Sequence, residues 1–415
     1  MSDLAWLDVA LTSARPQAVG ALLRYFRNLD AAEEAFQEAS LRALKSWPRN
    51  GPPRDPAAWL IMVGRNAGID RVRRTSRLES LPDEDRISDI DDVEAPLAER
   101  LDNADYRDDI LRLLFVCCHP DLPDTQQIAL ALRIVSGLTV KQIARAFLAS
   151  EAAVEQRITR AKARIARRGA SFEAPSPIER AERLAAVATM LYLVFNEGYS
   201  AADAVQSEVR APLCEEAIRL ARLLLALFPA EPEIMGLLAL FLLQHARHAA
   251  RFDAAGAIVL LDDQDRTRWN GQAIAEGLAL IDKAMRHARP GAYQIQAAIA
   301  ALHGRAAAPA DTDWAQIALL YASLERLQPS PVVTLNRAVA VSKVAGPEAA
   351  LALIAPLAAP LRNYFHFHGL QGALLLQLGR ALEAREAFGR AISLAGTPAE
   401  AAHIRMHLDR LEQVP

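Results

Sequence analysis

Two short clusters in the sequence have the residue types that bind metal ions. Cys117, Cys118 and His119 are consecutive, and thiolates and imidazoles are ligands of zinc. Adjacent residues on a helix point about 100° apart, so the two sulfur atoms are poorly placed to reach one ion. No CxxC pair is present to supply further ligands. The sequence therefore favours a buried structural role here, with no metal bound.

The second cluster consists of three aspartates in the segment LLDDQDRTRW, residues 260–269. The aspartates are Asp262, Asp263 and Asp265. Carboxylates could bind a divalent cation, but the glycine and the terminal glutamate of an EF-hand loop are absent. We predict instead that Asp265, Arg266 and Arg268 form ion pairs that fix the loop near Trp269.

Catalytic motifs are otherwise missing. The chain has no G-x-x-x-x-G-K-[ST], G-x-S-x-G or H-E-x-x-H, so an NTPase, an esterase or a zincin is not supported. The prediction is a protein that is not an enzyme and uses no cofactor. An enzyme built on the acidic loop is a distant alternative.

Basic residues, by contrast, are concentrated in two blocks. Residues 65–77 hold five arginines and one acid, and residues 141–168 hold eight basic residues and two acids. Between them, residues 79–109 hold thirteen acids and three arginines. We interpret the acidic stretch as a linker and the two basic blocks as surfaces that can face a phosphate backbone.

The first basic block lies on a predicted helix that begins near Pro56, after the turn-rich segment WPRNGPPRDP. An amphipathic helix precedes it. Asp30 and Glu33 have the spacing of a capping box at its start. The acidic outer face of this helix includes Glu33. Trp47 and Trp59 could stack on bases, although a core position is favoured for Trp59.

The second block has the layout of a helix-turn-helix. Gly137 ends one helix, Thr139 opens a short helix, and Ser150 caps a longer one. The longer helix carries an apolar stripe and, opposite to it, a polar N-terminal half followed by a basic C-terminal half. Such a helix can read base edges in the major groove and contact phosphates further along.

Length and composition set the frame for these elements. The chain has 415 residues, 52% hydrophobic and 6% aromatic, with a formal net charge of −3. Alanine and leucine favour helix, so the predicted fold is all-α, with more than one domain. The chain has three cysteines, and it shows neither a signal peptide nor an unbroken apolar span. We therefore predict a cytoplasmic protein without a membrane partner. The near-neutral total hides the segregated charge.

Together the two basic modules resemble a known family. DAAEEAFQEASLRALKSWP followed by AWLIMVGRNAGIDRVRR is similar to region 2 of the extracytoplasmic-function sigma factors. GLTVKQIARAFLASEAAVEQRITRAKARI is similar to their region 4. The resemblance covers roughly the first 170 residues, and the rest resembles a subgroup with a tetratricopeptide-like C-terminal extension. One departure is Ala31-Ala32-Glu33-Glu34, where the family often has Asp-Ala-Glu-Asp.

The resemblance implies a set of contacts with RNA polymerase core and with promoter DNA. Region 2 would bind the β′ clamp helices and the melted −10 element, and region 4 would bind the β flap and the −35 element. The matching polymerase-binding positions are Glu34, Gln37, Glu38 and Arg42. The matching −10 positions are Arg65, Asn66, Arg71, Arg73 and Arg74. The −35 positions are Lys141, Gln142, Glu151, Gln156, Arg157, Arg160 and Lys162.

The predicted organisation has four parts: region 2 at 1–78, the acidic linker at 79–108, region 4 at 109–170 and a helical extension at 171–415. Within the extension, VAGPEAALALIAPL and LGRALEAREAFGRAISL are about 34 residues apart and predict a tetratricopeptide-like part at 331–398.

The predicted function is a sigma factor that directs polymerase to promoters and assists DNA melting. The helical extension would control it, with a partner protein or a small ligand as its signal. Two alternatives remain: a one-component helix-turn-helix regulator with a tetratricopeptide-like sensor domain, and a helical-repeat scaffold.

Overall fold

The computed structural model describes residues 5–76, 103–119, 121–147, 149–168, 177–200, 204–254, 256, 258–395, 401, 404, 405 and 408. Within these residues the regular elements are helices, and an isolated bridge joins Phe252 to Ile258. The predicted all-α fold class is confirmed. The chain divides into two compact units, Met1–Leu193 and Val194–Pro415.

The first unit contains two groups of helices, and an eighth helix crosses the division between the units. The first group comprises α1 (Ala5–Phe26), α2 (Leu29–Asn50) and α3 (Pro56–Ser76). The second group comprises α4 (Asn103–Cys117), α5 (Asp124–Ile134), α6 (Val140–Ala146) and α7 (Glu151–Arg168). The eighth helix, α8, spans Pro177–Tyr199. Because α4 begins at Asn103, the last residues of the predicted linker are helical.

Helix α2 is capped two residues earlier than its sequence suggests. The side chain of Asn28 accepts a hydrogen bond from the backbone N–H of Ala31 at 2.9 Å, so Asn28 is the N-cap residue. The capping box expected from Asp30 and Glu33 is therefore wrong, and both carboxylates are available for other contacts. The next helix, α3, begins at Pro56 as predicted, and the Asp55 carboxylate accepts from two of its first amides.

The helix-turn-helix prediction matches α5 to α7. Gly137 follows α5 with a φ of +74°, a backbone conformation that favours glycine. Thr139 caps α6 in a capping box with Gln142, whose side chain accepts from the Thr139 N–H. Helix α7 buries the predicted apolar stripe of Val154, Ile158, Ala161 and Ile165.

The second unit continues in helices that follow one another closely along the chain. They are α9 (Ala204–Leu227), α10 (Pro232–His245), α11 (Gly271–Met285), α12 (Ala292–Arg305), α13 (Trp314–Leu327), α14 (Pro331–Ala345), α15 (Pro347–Ile354), α16 (Phe365–Gln377) and α17 (Ala381–Leu394). Most of the close contacts join sequence neighbours, such as α14 to α15 and α16 to α17. Three apolar clusters, built largely on α12 to α17, form much of its core.

Two of these helices meet through an unusual cap. The Glu233 carboxylate on α10 accepts hydrogen bonds from the backbone N–H groups of Tyr293 and Gln294, each at 3.1 Å, at the start of α12. Gly236 lies so close that an added Cβ would be 2.6 Å from the Gln294 nitrogen. The first N–H groups of a helix have no acceptor within that helix, and here a carboxylate of the neighbouring helix α10 accepts from two of them.

Candidate nucleic-acid interface

The four predicted polymerase-binding residues lie along the outer side of α2. Glu34 and Gln37 are exposed, while Glu38 and Arg42 are half-exposed and form an ion pair at 3.1 Å, one helical turn apart. Leu41 lies beside them with 55% of its surface exposed. This mixture of exposed polar and apolar side chains is suited to a protein partner.

Glu33 departs from the predicted outer face of α2. It is only 4% exposed, and its carboxylate faces the second group of helices rather than solvent. The prediction for Glu33 was wrong because it assigned all the acids of α2 to one solvent-exposed face. In the structure Glu34 is exposed to solvent, whereas Glu33 beside it is buried.

Helix α3 carries the predicted −10 residues. Arg65 and Asn66 are exposed, and the guanidinium of Arg65 lies 4.6 Å from the centre of the Tyr25 ring. This stacking leaves the charge accessible while it holds the side chain in place. The remaining three positions lie on the last turns of α3, and their side chains are outside the described residues. They are Arg71, Arg73 and Arg74.

The two tryptophans near this helix contact each other edge to face at 5.3 Å. Trp47 is only 2% exposed, so its predicted role in base stacking is not available in this conformation. Trp59 is half-buried, in line with the core position that was favoured for it. The pair fixes the end of α2 against the start of α3.

The predicted −35 residues lie on the described helices α6 and α7. Lys141 and Gln142 are exposed at the start of α6, although the Gln142 side chain also serves the cap. On α7, Glu151, Gln156 and Arg160 are exposed, and Arg157 is half-buried. The first half of α7 therefore presents polar side chains opposite a buried apolar stripe.

Lys162 is the exception on α7. Its ammonium forms ion pairs with Asp30 at 2.7 Å and with Glu33 at 2.8 Å, both on α2. Burial lowers the pKa of Lys162, but the hydrogen bonds to both carboxylates outweigh it, so the pKa is raised above its ordinary value. A residue predicted to contact DNA is thus occupied by acids of the first helical group.

Arg15 and Arg133 complete this charged contact, and sequence reasoning missed both. Arg15 is 8% exposed, and its Nε donates to the carbonyl oxygen of Ile134 at 2.9 Å. Burial lowers the pKa of Arg15 to about 10, with Glu33 opposing the shift. The Cβ of any residue replacing Gly137 would be 2.9 Å from the Arg15 Cδ. The one available signal for Arg15 was its place in the middle of the largely apolar helix α1.

The two cysteines of the cluster are buried, as the sequence favours. Cys117 and Cys118 are fully buried, and burial raises the pKa of both thiols, that of Cys118 to about 12. The His119 ring accepts from the backbone N–H of Asp121 at 3.2 Å. In the part of the chain that the structure describes, no group of three or more metal-ligating side chains occurs.

The acidic loop is fixed, but not by the predicted ion pairs. Asp265 accepts from the N–H and hydroxyl of Thr267, while Asp262 pairs with Lys343 at 3.2 Å. Arg266 donates to the carbonyl oxygens at the end of α12, at 2.7 and 2.6 Å, and stacks on Trp269. The carbonyl oxygens at a helix C-terminus attract a cation. The spacing of residues in the loop does not reveal this contact.

Comparison with known proteins identifies the modules. Residues 11–78 match the description "Sigma-70 region 2", and residues 112–165 match "Sigma-70, region 4". A region 2 domain followed by a region 4 helix-turn-helix is the arrangement of the sigma-70 class, and the two domains indicate a sigma factor of the sigma-70 family. The chain is accordingly a sigma factor for promoter recognition by RNA polymerase, with polymerase core and promoter DNA as partners.

Two further similarities concern the whole chain and the extension. The chain is 71% identical over 415 residues to "Uncharacterized protein R00370" of Rhizobium meliloti (strain 1021), covering 100% of this chain and 98% of that protein. Residues 183–285 match a family of unknown function, DUF6596. None of the described helices is long and apolar enough to cross a bilayer.

Proposed function

We propose that this sigma factor docks on the polymerase β′ clamp helices through α2 and reads the −35 element with α7. Region 4 would also contact the β flap, and α3 would capture the melted −10 strand. The observation that carries the proposal is α7 itself. It turns Gln156 and Arg160 to solvent above a buried apolar stripe, and it follows a capped helix and a short turn.

The chemistry of each surface indicates which partner it would bind. The α2 face mixes exposed acids with Leu41 and suits a protein surface, whereas a phosphate backbone would be repelled by Glu34 and Glu38. The α3 and α7 surfaces offer arginines, which suit phosphates and base edges. Capture of an unpaired strand would rely on Arg65 and Asn66 together with the three arginines at the end of α3.

We assign domain boundaries as the sequence indicates, with region 2 at 1–78, region 4 at 109–170 and the extension from 171. The hairpins α14–α15 and α16–α17 begin about 34 residues apart, which supports a tetratricopeptide-like part at 331–398. We propose that the extension controls promoter output by binding a partner protein or a small ligand. The protein acts in the cytoplasm by binding, without catalysis of its own.

The test of −35 readout is the double variant Arg157→Ala/Arg160→Ala in transcription with purified core polymerase. Each arginine that contacts a base or phosphate contributes roughly 1–3 kcal/mol, so promoter output should fall at least tenfold. Binding to core polymerase should be unchanged. Arg326→Ala, an exposed arginine on α13, removes the same kind of charge elsewhere and should leave output unchanged. Wild-type output from the double variant would refute the assignment of α7.

A further inference from the structure

The segment that follows α10, residues 246–270, carries three half-buried arginines. A hydrogen bond from the Asn270 N–H to the Ala246 carbonyl oxygen, at 2.9 Å, closes its base, and we name the segment the arginine loop. The half-buried arginines are Arg247, Arg251 and Arg266. Of the carboxylates that the structure describes, none lies within ion-pair distance of these three guanidinium groups.

The acids of the arginine loop lie elsewhere. All four of its aspartates are exposed: Asp253, Asp262, Asp263 and Asp265. Asp262 pairs with Lys343 at 3.2 Å, and Asp265 accepts hydrogen bonds from Thr267. The loop therefore turns its acids to solvent and keeps three of its positive charges partly out of solvent.

Other arginines of Val194–Pro415 have carboxylate partners. Arg219 binds the two oxygens of Glu216 through its Nε and Nη2 atoms, at 2.8 and 2.6 Å. Four more arginines of this unit also form ion pairs with acids: Arg222, Arg305, Arg337 and Arg380. Removing a charge from water without a counter-ion costs free energy. An anion from outside the chain would offset this cost in the arginine loop.

Two of the three arginines converge on Tyr199. Arg247 donates from Nη2 to the Tyr199 hydroxyl at 2.7 Å, and Arg251 donates from Nη1 to the Tyr199 carbonyl oxygen at 2.6 Å. The Arg251 guanidinium also lies 3.9 Å from the centre of the Tyr199 ring. Its Nε and Nη2 atoms have no acceptor among the described residues, and neither atom is fully buried. This is the edge with which Arg219 binds a carboxylate, so Arg251 presents a fixed fork for an anion.

The charges of the arginine loop are close enough to repel one another. Burial lowers the pKa of Arg251, and Arg247 adds to the shift while Tyr199 opposes it. Burial also lowers the pKa of Arg266, where Arg247 again adds to the shift against Asp262. Arg247 thus acts on both other arginines, and a single anion beside it would relieve the repulsion between them.

Two histidines add neutral donors next to these charges. The rings of His245 and His248 stack at 5.3 Å. Burial lowers the pKa of His245 to about 4, with His248 and Arg251 adding to the shift. Burial also lowers the pKa of His248, with Arg251 adding and Glu215 opposing. Near pH 7 both rings are therefore neutral, and each offers one N–H donor.

We propose that the arginine loop binds a phosphate group, either free or as the ester of a small molecule, with the fork of Arg251 as the main contact and Arg247 and His248 as further donors. This inference rests on the proposed function, because it names the class of small ligand through which the extension would control promoter output. A phosphate ester carries up to about two negative charges and three acceptor oxygens. It suits two arginines and a neutral donor better than a carboxylate, which has one charge and two oxygens.

The experiment is calorimetric titration of the full chain at pH 7.5 and constant ionic strength. The probes are methyl phosphate and inorganic phosphate, with acetate as the carboxylate control. Arg251→Gln removes the fork, and Arg247→Gln removes the neighbouring charge. Arg326→Gln is the matched control, because it removes an exposed arginine of α13 in the same unit.

We expect both phosphate probes to bind at least about tenfold more tightly than acetate. Affinity for them should fall at least about tenfold in Arg251→Gln and about 3–10-fold in Arg247→Gln, and should be unchanged in Arg326→Gln. Tighter binding of methyl phosphate would support a phosphorylated ligand, and tighter binding of inorganic phosphate would support phosphate itself. Arg247→Gln tests the proposal even if Arg251→Gln fails to fold, since Arg247 contributes a single hydrogen bond to Tyr199.

The proposal is overturned if the wild-type chain binds neither phosphate probe more tightly than acetate. It is also overturned if folded Arg251→Gln and Arg247→Gln both bind the probes as tightly as Arg326→Gln does. A ten-nucleotide RNA that bound more tightly than methyl phosphate, and lost this affinity in Arg251→Gln, would overturn it as well, because the loop would then be a nucleic-acid surface. Failure of the proposed function has a different signature: the wild-type chain would give no promoter-specific transcript with core polymerase, whatever the calorimetry shows.

Discussion

The two units of this protein differ in the charges that they bury: Arg15 and Glu33 of the first unit are buried, whereas the ion pair between Asp262 and Lys343 in the second is half-exposed. In Met1–Leu193, ions bridge residues that are far apart in the chain, such as Arg15 to Ile134 and Lys162 to Asp30. In Val194–Pro415, apolar clusters join helices that are neighbours in sequence, as around Phe388. A buried ion is costly to leave unpaired, so the first unit depends on the matching of particular charges, whereas the second depends on apolar packing.

The largest effect is expected from removing a buried apolar side chain in Val194–Pro415. Phe388 is fully buried, and Gly372 lies so close that an added Cβ would be 2.6 Å from its ring. Phe388→Ala should lower the free energy of unfolding of Val194–Pro415 by about 3–5 kcal/mol. Hydrogen exchange should show lost protection in α16 and α17, with α1 to α7 unchanged. Leu382→Ala, at a position that is 80% exposed, is the control and should change little.

A smaller effect is expected on the ionic side. Arg15→Ala leaves the buried Glu33 with one cation fewer and the Ile134 carbonyl without its donor, so Met1–Leu193 should lose about 2–4 kcal/mol of stability. Arg15→Lys should recover only part of this, because an ammonium cannot reproduce the fork of a guanidinium. Urea unfolding of the full chain, followed by hydrogen exchange in α1 and α5, measures both variants. Equal stability of all three proteins would contradict the buried-ion account.

The smallest predicted effect is a pH dependence of the stability of Val194–Pro415. Burial lowers the pKa of His303 to about 4, with Arg247 and Arg266 adding to the shift, and burial also lowers that of His245 to about 4. Unfolded histidine titrates near 6.5, so the unfolded chain binds more protons between the two values. Val194–Pro415 should therefore be most stable above pH 6.5 and, after a discount for solvent screening, should lose roughly 1–2 kcal/mol in total between pH 7.5 and pH 5.

Circular dichroism during urea unfolding at pH 7.5 and pH 5 tests this dependence. His303→Gln should weaken it, because His245 still contributes, whereas His287→Gln, at an exposed position, should leave it unchanged. A wild-type unit that is equally stable at both pH values would show that these rings are not held neutral by burial.

Local patterns in the sequence were sufficient to predict many of the helices. The all-α class, the start of α3, the Thr139 cap and the buried stripe of α7 all follow from capping residues and helical periodicity. These features depend on residues within a turn or two of one another. Sequence reasoning was correspondingly strong for the helix-turn-helix.

The misassigned residues share one physical cause. Asp30 and Glu33 have the spacing of a capping box, yet Asn28 makes the cap and the two acids bind Lys162 more than 100 residues away. Arg266 likewise binds carbonyls at the end of a distant helix instead of its neighbouring aspartate. Which charge meets which is decided by tertiary contacts, and a single sequence does not contain that information in its spacing.

The central claim is that this chain gives core polymerase its promoter specificity. The most direct measurement is transcription of fragmented genomic DNA from the source organism by purified core polymerase, with and without the full chain, and with transcript starts mapped. The account predicts discrete starts that appear only with the chain and are lost with Arg157→Ala/Arg160→Ala. A folded chain that binds core polymerase but yields the same starts as core alone would contradict it.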